Sequence, residues 1–115
     1  MPRGSPFKKN DWDAYVRDRY ICQYCGLDAA KLGRHDLHVP DHLVPLAAGG
    51  PDTLDNLVVA CCGCNTLKGG RFDPRQGETG VTKEELIRRA KKYIEGQRRS
   101  WESDFRQMLK EAGRG

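Results

Sequence analysis

The stretch that decides the fold is VPDHLVPLAAGGPDTLDNLVVACCGCNTLKGG, which spans residues 39–70. Extended-type residues occupy its beginning, and the β-branched run NLVVAC suits a return strand. Between them, AAGGPDTLDN has the composition of a turn. CGCNTLKGG is compact enough for a short helix that ends at Gly69 and Gly70. The predicted order is therefore a hairpin followed by a helix.

Two polar residues, Asp41 and His42, stand side by side in the first apolar run. In a regular pleat, neighbouring side chains face opposite ways. Pro40 restricts this segment to an edge strand or an irregular ladder. We expect Pro40 to break the ladder, so that Asp41 and His42 can approach the same point.

The cysteines form two Cys-x-x-Cys pairs, Cys22 with Cys25 and Cys61 with Cys64, and leave Cys62 over. Two intervening residues let a tight turn present both sulfurs to one ion, and two such turns complete a tetrahedron around Zn²⁺. Paired redox thiols are the alternative. The odd number of cysteines argues against a disulfide framework. We expect one structural Zn²⁺, with Cys62 as a small buried thiol.

The composition favours one small domain. The chain has 115 residues, of which 37% are hydrophobic and 31% charged, and its formal net charge is +4. A polyanionic partner is allowed by this charge but not demanded. No run approaches the roughly 18 apolar residues of a membrane span, and no secretory segment is visible. The sequence therefore predicts a soluble, cytoplasmic protein without a membrane partner.

The rest of the chain divides by composition. NDWDAYVRDRY, from Asn10, combines a capping residue with apolar residues at helical spacing, which predicts a short helix. TKEE forms a capping box, from Thr82 to Glu85, ahead of a long amphipathic pattern. We expect a flexible arm at 1–9, a zinc-stapled core at 10–71, a loop at 72–81 and a helical extension at 82–112.

The long amphipathic pattern carries one apolar stripe. It either packs against the core or forms the seam of a homodimer, so a monomer and a homodimer both stay open. The basic segment RRAKK is either a solvated face or a phosphate contact. The stripe comprises Leu86, Ala90, Tyr93, Gln97, Trp101, Phe105, Met108 and Ala112.

The three histidines, His35, His38 and His42, fall within eight positions. A shared metal site is not expected, because four residues of strand separate His38 from His42 by about 13 Å. We expect His35 and His38 to lie at the surface or to line a groove.

The motifs CQYCG, DHLVPLAAGG, DNLVVAC and CGCNTLKG follow one another in this order. In this respect the chain resembles the HNH endonuclease family over about residues 17–71. The resemblance implies a small α+β fold with a ββα-metal core, stapled by a four-cysteine zinc. A short N-terminal helix and a long C-terminal amphipathic helix would flank this core.

The resemblance also implies roles for individual residues. His42 corresponds to the general base, Asp41 and Asn65 to ligands of a catalytic divalent cation, and Asn56 to the catalytic-site residue that steadies the hairpin and the base. Many relatives have a third histidine where this chain has Asn65, which makes the pattern His-Asn-Asn. An amide oxygen favours Mg²⁺ or Mn²⁺ over Zn²⁺ or Ni²⁺.

The implied function is a metal-dependent endonuclease that hydrolyses DNA, with RNA left open as a substrate. No residue set suggests base reading, so we expect low sequence specificity and nicking by a monomer. The alternatives are a zinc-stabilised nucleic-acid-binding module that does not cut, and a purely structural role. The residues predicted to grip phosphates are Lys68, Arg71, Arg17 and Arg19.

Overall fold

The computed structural model describes all residues from 1 to 115 and has a small α+β architecture. The two strands are followed directly by a helix, so the expected ββα order is confirmed. A short N-terminal helix and a long C-terminal helix flank this unit, also as expected. The elements are α1 (Lys9–Arg17), β1 (His38–His42), β2 (Leu57–Cys61), α2 (Cys62–Lys68) and α3 (Lys83–Glu111).

The β1–β2 ladder is antiparallel and continuous. Its register pairs His38 with Cys61 and His42 with Leu57, and Pro40 stands opposite Val59 without a bulge. The prediction that Pro40 breaks the ladder is therefore wrong. The sheet has only two strands, so β1 has a free edge on which the missing N–H of a proline is tolerated.

The connection between β1 and β2 requires its glycines. Gly49 has a φ of 85°, a left-handed conformation that glycine adopts without steric cost. A Cβ atom at Gly50 would lie 2.1 Å from the carbonyl oxygen of Val44. The chain therefore folds back closely on itself just after β1, and this return forms one wall of the site described below.

Helix α1 covers one face of β2. Ala14 is fully buried and packs with Leu57 and Val59. The helix begins at Lys9, one residue before the predicted capping residue Asn10, and no side chain caps its first turn. Packing against β2, rather than a cap, thus fixes the position of α1.

Helix α3 is buried along its first half only. The predicted cap is present, since Thr82 Oγ1 accepts a hydrogen bond from the Glu85 backbone N–H at 3.2 Å. Ala90 and Ile94 are buried and Gln97 is half-buried, whereas the stripe residues from Trp101 onward are exposed. The predicted stripe omitted Ile94, so it is wrong in this turn. Its exposed members are Trp101, Phe105, Met108 and Ala112.

None of the helices combines the length and the apolar character needed to cross a membrane.

The main core joins the strands, α2 and α3 around the cysteines. Three of the nine residues in this buried cluster are Cys22, Cys61 and Cys64. Three of the four metal-ligand candidates therefore lie inside the fold, and the fourth, Cys25, is exposed. The other members are Tyr24, Leu43, Val58, Ala60, Ala90 and Ile94.

Candidate functional site

The four paired cysteines converge on one point. The sulfur atoms of Cys22, Cys25, Cys61 and Cys64 all lie within 4.8 Å of one another. The Cys25 and Cys61 sulfurs are 3.8 Å apart, and tetrahedral zinc with bonds of about 2.3 Å requires sulfurs roughly 3.8 Å apart. The donor set therefore fits a structural zinc ion.

Hydrogen-bond donors surround these sulfurs. The backbone N–H of Cys64 donates to Cys61 Sγ at 3.3 Å, and the Arg98 guanidinium of α3 donates to Cys64 Sγ at 3.3 Å. A hydrogen bond with the Cys64 thiol lowers the pKa of Cys22 to about 4, whereas the same pairing raises the pKa of Cys64 and burial raises that of Cys61. Donors of this kind stabilise thiolate, which is the form that binds a metal.

Cys62 lies outside this cluster. It is exposed, so the prediction of a buried thiol is wrong. Because Cys62 opens α2 directly after the ligand Cys61, its side chain points away from the sulfur cluster, into a groove lined by Trp101 and Phe105.

A second site lies beside the end of β1, in a cavity of about 300 Å³. Asp41 and His42 reach it from β1, and Asn65 and Lys68 reach it from α2. The strand and the helix meet here because Cys61 ends β2 and Cys64 lies in the first turn of α2. The remaining lining residues are Pro40, Pro45, Leu46, Ala47, Gly69 and Gly70.

The carboxylate of Asp41 is held by two buried side chains. The Tyr24 hydroxyl donates to Asp41 Oδ2 at 2.6 Å, and the same oxygen lies 3.2 Å from Lys68 Nζ. Burial, together with the neighbouring Asp41 charge, raises the pKa of Tyr24 well above its usual value. Tyr24 is therefore a protonated donor to the carboxylate.

The segment that carries this arrangement matches a known family. Residues 22–71 match the model of the HNH endonuclease family. This segment is similar to an HNH endonuclease domain. The matched segment runs from the first cysteine ligand to just beyond α2, so it contains both the sulfur cluster and the cavity. Comparisons with curated proteins and with solved structures gave no significant match.

Within this segment, His42 is paired with an acidic residue of the β1–β2 connection. Its Nε2 lies 2.9 Å from Asp52 Oδ1. When Nε2 carries the proton of the neutral ring, Nδ1 keeps a free lone pair. This contact therefore favours one tautomer and one ring orientation of His42.

Asn56 closes the connection rather than lining the cavity. Its Oδ1 accepts from the Val44 N–H at 2.9 Å, and its Nδ2 donates to the carbonyls of Val44 and Pro51 at 2.9 and 2.8 Å. The side chain is buried, and these bonds use the amide on backbone groups. Asn56 thus fixes the loop that carries Asp52.

The four residues predicted to grip phosphate differ in their surroundings. Lys68 is only 2% exposed and also donates to the His42 carbonyl at 3.0 Å, so it lies in the cavity and not on the outer surface. Arg17 bonds to Asp18 and to the carbonyls of Leu54 and Leu57.

The other two predicted phosphate contacts, Arg19 and Arg71, are exposed and form no ion pair. Among the four, these two are therefore free to meet an extended polyanion.

His38 is buried, at 3% exposure, so its predicted place at the surface or in a groove is wrong. Its ring stacks on Tyr20 with centroids 4.9 Å apart, and Nε2 lies 2.9 Å from the Leu27 carbonyl. His38 does not line the cavity, and it packs against Tyr20 and Leu27, which flank the first cysteine pair. His35 is exposed, as expected.

Two residues that contact the site were missed in the sequence. Tyr24 lies inside the CQYCG motif and Asp52 inside the turn segment, and both segments have sufficient local explanations. The packing of the first cysteine turn on β2 brings Tyr24 to Asp41, and the return of the β1–β2 connection brings Asp52 to His42. A polar residue within each motif was the available signal.

Proposed function

We propose that the HNH-like domain is a metal-dependent endonuclease that hydrolyses DNA phosphodiester bonds. In this proposal His42 is the general base, and Asp41 and Asn65 hold one divalent cation, with Mg²⁺ or Mn²⁺ preferred. The observation that carries the proposal is the shared cavity, where a carboxylate and an imidazole from β1 meet a carboxamide from α2.

These side chains have the chemistry that the reaction requires. An imidazole can accept a proton from water near neutral pH. Carboxylate and amide oxygens suit hard divalent cations. When bound between Asp41 and Asn65, the cation would neutralise charge on the attacked phosphate and on the leaving oxygen.

The proposed reaction is a simple hydrolysis. His42 takes a proton from a water molecule, whose oxygen forms a bond to phosphorus while the bond to the 3′ oxygen breaks. The leaving 3′ oxygen takes up a proton, which gives 3′ hydroxyl and 5′ phosphate ends. Asp52 biases the orientation of the imidazole, and Asn56 holds the loop on which Asp52 lies.

Several exposed basic residues are available to hold the DNA outside the cavity. Arg19 and Arg71 belong to the core, and Lys91 and Lys92 of α3 are also exposed without an ion-pair partner. Contacts of this kind bind phosphates without reading bases. We therefore propose low sequence specificity and binding that weakens as salt rises.

The decisive experiment is cleavage of supercoiled plasmid by zinc-loaded protein from which loosely bound cations have been removed. Mg²⁺, Mn²⁺, Ni²⁺ and Zn²⁺ are then restored in turn. We expect Mg²⁺ or Mn²⁺ to restore nicking. His42→Ala should lower the rate by about 100- to 10,000-fold, the usual contribution of a general base. His35→Ala, which removes an exposed imidazole, should cleave like the wild type.

Two results would contradict this proposal. Undiminished cleavage by His42→Ala would remove the assigned base. Salt-sensitive DNA binding without cleavage under any cation would instead identify a zinc-stabilised binding module.

A further inference from the structure

The two oxygens of the Asp41 carboxylate have different surroundings. Oδ2 accepts the Tyr24 hydroxyl hydrogen bond at 2.6 Å and lies 3.2 Å from Lys68 Nζ. No side chain or backbone group donates to Oδ1, although Asp41 lines the cavity. The carboxylate is thus fixed through one oxygen, and the other is available to a cation.

The position of the Tyr24 hydroxyl depends on the cysteine cluster. Tyr24 lies between the ligands Cys22 and Cys25 and is only 2% exposed. The preceding residue, Gln23, donates its backbone N–H to the Val59 carbonyl of β2 at 2.8 Å. The turn around the first cysteine pair is therefore held by both the sulfurs and the sheet, and it presents Tyr24 to Asp41.

We propose that Tyr24 is a positioning residue that transmits the geometry of the structural zinc turn to the cation ligand Asp41. This inference rests on the proposed function, because it concerns the affinity of the cavity for its catalytic cation. Through Tyr24, the structural metal shapes a second metal site without sharing a ligand with it.

Lys68 alone cannot fix the carboxylate in the same way. Its ammonium group is a compact charge with rotatable donors, and it also bonds to the His42 carbonyl. The Tyr24 phenol is a rigid donor, and its hydrogen bond to Asp41 is buried. Without the Tyr24 hydroxyl, the Asp41 carboxylate can rotate about its Cβ–Cγ bond. Cation binding must then order the carboxylate.

The test replaces only the hydroxyl, in Tyr24→Phe, and measures Mn²⁺ binding to zinc-loaded protein by electron paramagnetic resonance. Partners of metal ligands typically contribute about 10- to 100-fold in affinity, so we expect the Kd for Mn²⁺ to rise by that factor. The Mn²⁺ concentration for half-maximal nicking should rise in parallel, whereas the rate at saturating Mn²⁺ should change much less.

The matched control is Tyr15→Phe. Tyr15 also donates its hydroxyl hydrogen bond to β1, but to the backbone carbonyl of His38. This variant should bind Mn²⁺ like the wild type. Asp41→Asn, which removes the ligand charge, sets the lower limit of Mn²⁺ affinity. Zinc content and thermal unfolding are measured for every variant. Mn²⁺ binding is then measured at a temperature well below every unfolding transition.

Each outcome is decisive. If Tyr24→Phe binds Mn²⁺ with an unchanged Kd while Asp41→Asn no longer binds Mn²⁺, the role of Tyr24 is overturned. The nuclease proposal is then left standing. Loss of zinc in step with Mn²⁺ shows that the hydroxyl stabilises the cysteine turn itself, which also overturns the positioning role. A wild-type protein that binds no Mn²⁺ and cuts no DNA overturns the proposed function together with this inference.

Discussion

At the scale of single residues, the proposed base His42 is paired with Asp52, whose side chain is much more exposed than that of His42. Asn56 fixes the backbone on both sides of the loop, but the Asp52 side chain is 77% exposed. Water competes for an exposed hydrogen bond, so such a contact is worth about 1 kcal/mol or less. Asp52 can therefore bias the orientation of His42, but it is not expected to determine it.

This reasoning predicts a small effect for Asp52→Ala. A loss of about 1 kcal/mol corresponds to roughly a fivefold lower cleavage rate, far less than the loss expected for His42→Ala. Asp55→Ala is the control, because Asp55 is exposed in the same loop and forms no side-chain hydrogen bond. Single-turnover nicking rates compare the variants. A loss as large as that of His42→Ala would mean that Asp52 takes part directly in the chemistry.

At the scale of elements, α3 has two halves with different environments. Its first half packs Ala90 and Ile94 into the core, and Arg98 reaches the sulfur of Cys64. Beyond Arg98, the apolar side chains Trp101, Phe105 and Met108 are more than half exposed. These three side chains recur at steps of four and three residues, the spacing of a coiled-coil seam, so a homodimer through this half stays a prediction.

Two alanine substitutions in α3 separate these environments. Ile94→Ala should lower the free energy of unfolding by about 2–5 kcal/mol, because it opens a cavity in the core. Phe105→Ala should change it by less than about 0.5 kcal/mol in a monomer, since the ring is exposed. Urea unfolding at two protein concentrations measures both. Concentration-dependent destabilisation by Phe105→Ala would instead indicate that the stripe is a dimer seam.

At the scale of the whole molecule, the sequence predicted those parts of the fold that local chemistry determines. The cysteine spacing, the glycine turn and the capping box each specify a structure within a few residues. The errors lie where tertiary packing decides between neighbours. Tyr93 and Ile94 both fit a helical stripe, and only the core selects Ile94.

The candidate site was predictable to the same extent. Asp41, His42 and Asn65 were assigned from the family resemblance of the motifs, and all three line one cavity, while their roles stay a prediction. The burial of Lys68 could not be predicted, because a lysine side chain is normally exposed unless it pairs with a buried carboxylate. The carboxylate is that of Asp41, 27 positions earlier in the chain, and no local sequence pattern predicts this ion pair.

Zinc removal tests how far the whole fold depends on its sulfur cluster. Three ligands belong to the nine-residue core, and structural zinc contributes about 10–16 kcal/mol, comparable with the total stability of a small domain. A strong zinc chelator should therefore unfold the core, seen as lost helical circular dichroism, and added Zn²⁺ but not Mg²⁺ should restore it.

A pair of cysteine variants gives this prediction its internal control. Cys61→Ser removes a buried ligand and should lose zinc and structure, whereas Cys62→Ser alters the exposed neighbour and should keep both. The two sites are adjacent in the chain, and only the Cys61 sulfur belongs to the cluster. A chelated protein that kept its helical signal and its thermal transition would show that apolar packing alone holds the strands and α2 together. The meeting of Asp41, His42 and Asn65 would then not depend on the metal.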